Sequence, residues 1–438
     1  MDFRSLNRIF AKTKLAKGVK FLKSRHWQHG QYLILTVLAI AVFCFWLFLY
    51  PFIPVVREMT QLFLWTGDYF LERMMLPGGL AQYLGEMIAQ FFINPVNGAI
   101  AYVLLFLVAR QLSGLWLRKA FPHLKTAYRF ALSLVVPVLL WALAMLPQVP
   151  LTTTIAIILV LGVGCVLMTF TKKSRLWALL LAIPVTYWLA GPAALLLMCC
   201  CPRWIPATLL LFVACVVGSA FVTPYPLRQV AMGIDYMEND NRIGMRMSTY
   251  EEMECDMLFR QGKWHQIISR FQRPESPAVR SAVLIAYHKA GLMGQQELMN
   301  NLVVPCEQQG NAPSVFNTGS HRFVVNFGSV SSAFIVSEMA RLLHWTNISQ
   351  RAAFEAMEYI PNYNKSGRAL KLLVETNIIS GHYDVARKYI SILEKTTCYR
   401  RWAQSMRPLT DSPELIKNNP FLHEAQLSYA KTEDVFFI

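Results

Sequence analysis

Between residues 54 and 95, Asp68, Glu72 and Glu86 share one stretch with Arg73 and seven aromatic residues, Phe63, Trp65, Tyr69, Phe70, Tyr83, Phe91 and Phe92. A carboxylate at a membrane–water boundary can act as general acid or base, or bind a metal ion, beside a lipid-linked substrate. Asp68 is the candidate for that role. The plainer reading, which is preferred, is that these acids solvate the polar faces of two helices and pair with Arg73.

Cysteine is the other reactive type. Cys44, Cys165, Cys199, Cys200, Cys201 and Cys215 lie in or beside apolar runs, and Cys255, Cys306 and Cys398 lie in the second half. No C-x-x-C pair or Cys/His zinc spacing occurs. The adjacent Cys199, Cys200 and Cys201 point around a helix and cannot all ligate one metal, so they read as small apolar filler. The scattered thiols fit a reducing compartment. No Walker loop, G-x-G-x-x-G, H-E-x-x-H or G-x-S-x-G is present, so neither cofactor nor metal is expected.

The elements that carry these residues follow from composition. Only 16% of the 438 residues are charged and 55% are hydrophobic, too little polar surface for a soluble globule. The formal net charge of +16 divides into +14 for residues 1–223 and +2 for 224–438. Excess charge confined to the half with the long apolar runs points to a membrane protein with cationic flanks, not to a nucleic-acid binder. Apolar runs at 32–52, 96–116, 130–146, 151–170, 176–200 and 205–222 predict six spans after a basic tail at 1–31. The tail is read as a cytoplasmic retention segment, with an amphipathic surface helix as the alternative. The run 176–200, broken by Pro184 and Gly191-Pro192, is one kinked helix or a span plus a short re-entrant piece.

Basic residues in the tail, in 117–129 and in 171–175 place those segments in the cytoplasm. With six spans, the 54–95 segment lies in the outer interface and the C-terminal half is cytoplasmic. Counting the fifth run differently by one pass reverses that.

From residue 224 the pattern becomes one of ordinary amphipathic helices in pairs. These fall near 248–261 and 264–271, 278–291 and 295–303, 329–344 and 348–360, and 366–380 and 383–394. Gly381-His382-Tyr383 followed by Ala386, Tyr389 and Ile390 matches a tetratricopeptide-type turn and second helix, and Gly262-Lys263-Trp264 repeats it more weakly. The expected fold is all-α: a polytopic helical membrane domain at 32–223, then a tetratricopeptide-like repeat domain at 224–438.

The segments FLWTGDYFLERMMLPGGLAQYLGEMIAQFF (63–92), FRQGKWHQII (259–268) and the stretch 351–403 resemble a family of uncharacterised multi-pass membrane proteins from Bacteroidota. The resemblance implies an inner-membrane protein with a tetratricopeptide-like tail and carries no catalytic residue with it. The first functional reading is a membrane-anchored scaffold recruiting a protein partner in envelope biogenesis or export. The alternatives are a multi-span glycosyltransferase acting on lipid-linked sugars through Asp68, and a carrier of an apolar solute.

Overall fold

The computed structural model describes residues 29–234, 248–305, 315–318, 321–324, 328–360 and 365–431. The basic tail up to residue 28 and Cys306 lie outside them. The membrane half begins with α1 (His29–Leu49), followed by three short helices, α2 (Phe52–Met59), α3 (Gly67–Met74) and α4 (Gly79–Ala89). Then come α5 (Pro95–Ala120), α6 (Thr126–Ser133) continuing into α7 (Val135–Ala144), α8 (Leu151–Leu167), α9 (Lys172–Ala190), a 3-10 leg (Gly191–Cys200) and α10 (Ile205–Val222). Local chemistry sets the ends. Asn94 caps α5 through the Val96 amide, with Pro95 in the first turn, and the Thr171 hydroxyl caps α9.

By length and composition alone, five helical segments among the described residues could cross a membrane: His29–Leu49, Pro95–Ala120, Thr126–Ala144, Ser174–Cys200, which joins α9 to the 3-10 leg, and Pro202–Val222. The sixth expected span is shorter, because α8 has 17 residues, about 25 Å of helix. It lies inside the bundle. Its start meets α4 so closely that a methyl on Gly85 would sit 3.0 Å from the Thr152 amide nitrogen.

The run 176–200 is not one pass. Gly191 adopts φ +56 and ψ −145, a conformation open to glycine alone, and reverses the chain. Before the turn, Trp188 donates its indole N–H to the Met74 carbonyl at 2.8 Å, at the end of the bundle that carries α3 and α4. After it, Cys200 lies beside Gly164 and Trp116, about 18 Å down α8 from Thr152. The 3-10 leg therefore runs back the length of the bundle against α8 and α9, where one kinked helix or a span with a short re-entrant piece was expected. α10 then climbs back, and Ser219 meets the Tyr187 hydroxyl at 2.9 Å.

The second half holds α11 (Leu227–Met232), four helix hairpins and a last pair of helices joined by a 3-10 turn. These are α12 (Tyr250–Arg260) with α13 (Trp264–Arg270), α14 (Pro277–Lys289) with α15 (Gln295–Leu302), and α16 (Val330–Leu342) with α17 (Thr346–Glu358). They are followed by α18 (Gly367–Ile379) with α19 (Tyr383–Leu393), and α20 (Arg400–Asp411) with α21 (Pro420–Lys431). Four hairpins turn the same way. Gly262, Gly291, His344 and Gly381 all have positive φ, and the next amide bonds five residues back: Lys263 to Leu258, Leu292 to Tyr287, Trp345 to Ala340, His382 to Asn377. This is the Schellman ending, in which a left-handed residue lets two amides cap the last carbonyls of the helix. Between the second and third hairpins, expected as irregular chain, runs a small antiparallel sheet of β1 (Val303–Pro305), β2 (Val315–Thr318) and β3 (His321–Val324), ordered β1-β3-β2.

The sidedness expected from six spans fails. Tyr250 donates to the Met145 carbonyl at 3.1 Å, the Trp65 amide donates to the Lys395 carbonyl at 3.0 Å, and Cys398 donates to the Gln90 carbonyl at 3.0 Å. Groups in hydrogen-bond contact cannot lie on opposite sides of ~30 Å of hydrocarbon. The 54–95 segment and the helix hairpins therefore share one face of the membrane half. The added return leg at Gly191 is the physical reason for the parity error. Arg203 follows the end of that leg, at the face of the 117–129 and 171–175 loops.

Candidate functional site

The strongest constellation lies where α2 meets the hairpins. Seven of the eight residues of α2 are buried, Arg57 and Glu58 among them. Glu58 accepts a hydrogen bond from the Tyr399 hydroxyl at 2.7 Å and faces the Arg260 guanidinium at 3.5 Å. Behind them Arg368 forks onto both oxygens of Asp256, at 2.7 and 2.9 Å, and reaches Glu338 at 3.4 Å. Its guanidinium also stacks 4.4 Å from the Phe334 ring and lies 3.4 Å from the Met59 sulfur. Arg341 joins Glu375 to Glu338 at the outer edge of the group.

Four carboxylates and three guanidiniums are thus interleaved at 25% side-chain exposure or less. Each ion at the core of such a group is tolerable only because its partners are in place. Burial works against the charge of Arg260 and of Arg368, but Tyr399 and Glu58 for the first, and Asp256 and Glu338 for the second, turn the net shift upward. Burial, with the Glu58 charge added, raises the Tyr399 hydroxyl well above its ordinary range. Glu338 ends below the usual carboxylate range, since Arg368 and Arg341 outweigh its burial. Burial pushes the neighbouring Cys398 thiol up to about 11, again with Glu58 contributing.

Two neighbouring groups complete the join. Arg57 donates to the carbonyls of Ala144, Leu146 and Val149 at 2.9, 3.2 and 2.8 Å, and to the Tyr102 hydroxyl. A cation at the C-terminal end of α7 satisfies carbonyls that helix geometry leaves open. Glu86, 1% exposed, takes hydrogen bonds from Arg73, Gln82 and Tyr69. Burial first, then the Glu86 charge, holds the Tyr69 hydroxyl above its usual value.

Asp68 occupies the first turn of α3 and is exposed, as is Glu72. Of the three carboxylates singled out in the sequence, only Glu86 enters a buried cluster, and it does so by pairing with Arg73. Cys199 is exposed, Cys200 buried and Cys201 half-buried, so the triplet faces three ways. Among the described residues, no group of three or more His, Cys, Asp or Glu is placed to hold a metal. Sequence reasoning did not single out Glu58, Arg260, Arg368 or Tyr399. The available signal was a Glu next to an Arg on a short helix otherwise apolar on both faces.

A helical membrane half with an ion-locked stack of helix hairpins on one face is the class of protein that these features define. The chain belongs to a family of unknown function, DUF6057, whose model matches residues 25–438. No curated protein and no solved structure matches it.

Proposed function

We propose that the chain is a membrane-anchored scaffold of the bacterial inner membrane, whose tetratricopeptide-like hairpins recruit a protein partner outside the cytoplasm, in envelope biogenesis or export. The observation that carries this reading is the buried Glu58–Arg260–Tyr399 join, which makes the hairpin array a rigid continuation of the membrane half. Stacked hairpins offer an extended surface suited to peptides or proteins.

The orientation rests on charge. Arg118, Lys119, Lys125, Arg129, Lys172, Lys173, Arg175 and Arg203 lie in the loops and helix ends of one face, while the 52–94 and 145–150 segments of the other face contain only Arg57 and Arg73. By the positive-inside rule the first face is cytoplasmic, which directs the hairpins to the opposite side. This placement departs from the reducing compartment expected of scattered thiols; of the array's described thiols, Cys255 is fully buried and Cys398 is half-buried against the Gln90 carbonyl.

Two experiments test the reading. A reporter that matures only in the periplasm, fused after Ile438, is expected to be active, and inactive when inserted in the 121–125 turn; the reverse pattern refutes the orientation. In cells lacking the chain, Asp68→Asn is expected to restore function fully, whereas Glu58→Ala, which releases the array, is expected to fail. Restoration by Glu58→Ala with loss in Asp68→Asn would replace the scaffold by an enzyme.

A further inference from the structure

The membrane half contains a cavity of about 490 Å³ between α5, α7, α8 and the 3-10 leg. Its walls are hydrocarbon from residues such as Leu117, Leu143, Leu161 and Leu197, and the Ser113 hydroxyl at its edge is already spent on the Ala109 carbonyl at 2.7 Å. An occupant must therefore be apolar along this length. The cavity opens sideways: Leu132, Val135, Leu139 and Leu196 on its lip are 45–57% exposed, on a surface that faces lipid.

One end of the groove is different. Trp116, Gly164 and Cys200 close it, and beyond them Lys119 reaches the Cys165 carbonyl at 3.1 Å, while the charge of Arg175, whose guanidinium donates to the Phe170 carbonyl at 3.0 Å, is felt at Cys200 and Cys201. No Asp or Glu occurs anywhere from residue 87 to 234. The acids of 52–86 sit at the far end of the bundle, so among the described residues no carboxylate balances these two cations. Basic pockets at the cytoplasmic ends of membrane helices suit anionic head groups.

We propose that this groove binds one acyl chain of an anionic glycerophospholipid from the surrounding bilayer, with its phosphate head held by Lys119 and Arg175. Apolar wall, lateral opening and unbalanced cationic end coincide, and each is needed for such a ligand. The proposal rests on the membrane placement and is independent of the scaffold reading.

Trp116 in the wall supplies the readout. The full-length protein is reconstituted into vesicles of phosphatidylcholine with a tenth of phosphatidylglycerol, either lipid carrying brominated acyl chains. The Trp116 emission is taken as the difference between wild type and Trp116→Phe. Brominated phosphatidylglycerol is expected to quench it roughly fivefold beyond its share of the bilayer, and the double variant Lys119→Gln, Arg175→Gln to reduce that excess to the bulk value. Quenching in proportion to bulk composition in the wild type would overturn the proposal, leaving a crevice wetted by any lipid. Absence of quenching by either lipid would also overturn it, since the groove would then be closed to the bilayer. Failure of the protein to enter the vesicles at all would instead refute the membrane placement.

Discussion

His344 takes the left-handed conformation, φ +59, that glycine takes in the three equivalent turns. A residue with a Cβ is penalised there by about 1 kcal/mol. His344→Gly is accordingly expected to stabilise the hairpin array by that order, measured by thermal unfolding of the purified protein. The imidazole brings a second effect. Its ring lies tilted against Phe421, and burial lowers its pKa, with Lys289 and Arg341 adding to the shift and Glu424 opposing it. A histidine depressed in the folded state stabilises above its ordinary value of about 6.5, and that stabilisation is lost as pH falls through the folded value. Wild type should thus lose stability below about pH 6.5 faster than His344→Gly does; parallel pH profiles would refute the assignment. In the join, Glu58→Ala strips Arg260 of its carboxylate, and a loss of about 3–5 kcal/mol is expected, as for other broken buried pairs. Tyr399→Phe, which removes one hydrogen bond, should cost about 1–3 kcal/mol.

At the scale of elements, two glycines decide how pieces meet. A methyl on Gly367 would lie 2.6 Å from the Tyr399 ring, so Gly367→Ala must displace the tyrosine that holds Glu58. It is expected to destabilise the docking by about 1–3 kcal/mol. Combined with Tyr399→Ala its cost should be well below the sum, because the clash has gone; strict additivity would show that the two sites do not couple. The helices themselves were largely legible in sequence. Thr249 with Glu252 forms the capping box that opens α12, and Gly262-Lys263 and Gly381-His382 end their helices as turn chemistry requires. The Gly191-Pro192 break was also visible, but its outcome was not. Whether a glycine bends a helix or reverses it depends on what the following residues pack against, and here α8 and α9 receive the returning leg. The join was illegible for a related reason: Glu58 and Tyr399 are 341 residues apart, and no periodicity links them. Asp68 drew notice because an acid among aromatics is conspicuous in a string, whereas Glu58 reads as one more polar residue until the fold surrounds it.

For the molecule as a whole, burial separates two kinds of ion pair. Arg387 with Asp384 is at the surface and should weaken as salt rises, while Arg368 with Asp256, each 2% exposed or less, is shielded. Raising sodium chloride from about 0.1 to 1 M, where the Debye length shrinks from about 10 to 3 Å, should leave amide exchange across 395–400 unchanged. A salt-dependent rise there would mean that the two halves are joined by surface charge after all. The charge asymmetry of the composition becomes three-dimensional at this scale, with most of the bundle's described cations at one end and every carboxylate of its described residues at the other, where Arg57 and Arg73 accompany them.

Arg57 also has a mechanical meaning. It grips the 144–149 turn by three carbonyls, and its neighbour Glu58 is gripped by the array. A tug on the hairpins is therefore felt at α2 and is handed to the α7–α8 corner by Arg57, alongside the direct contact of Tyr250 with the same corner. Helix α2 thus serves as a transmission rod between the hairpins and the bundle, and Arg57→Ala would weaken that linkage by leaving the Ala144, Leu146 and Val149 carbonyls without their shared donor.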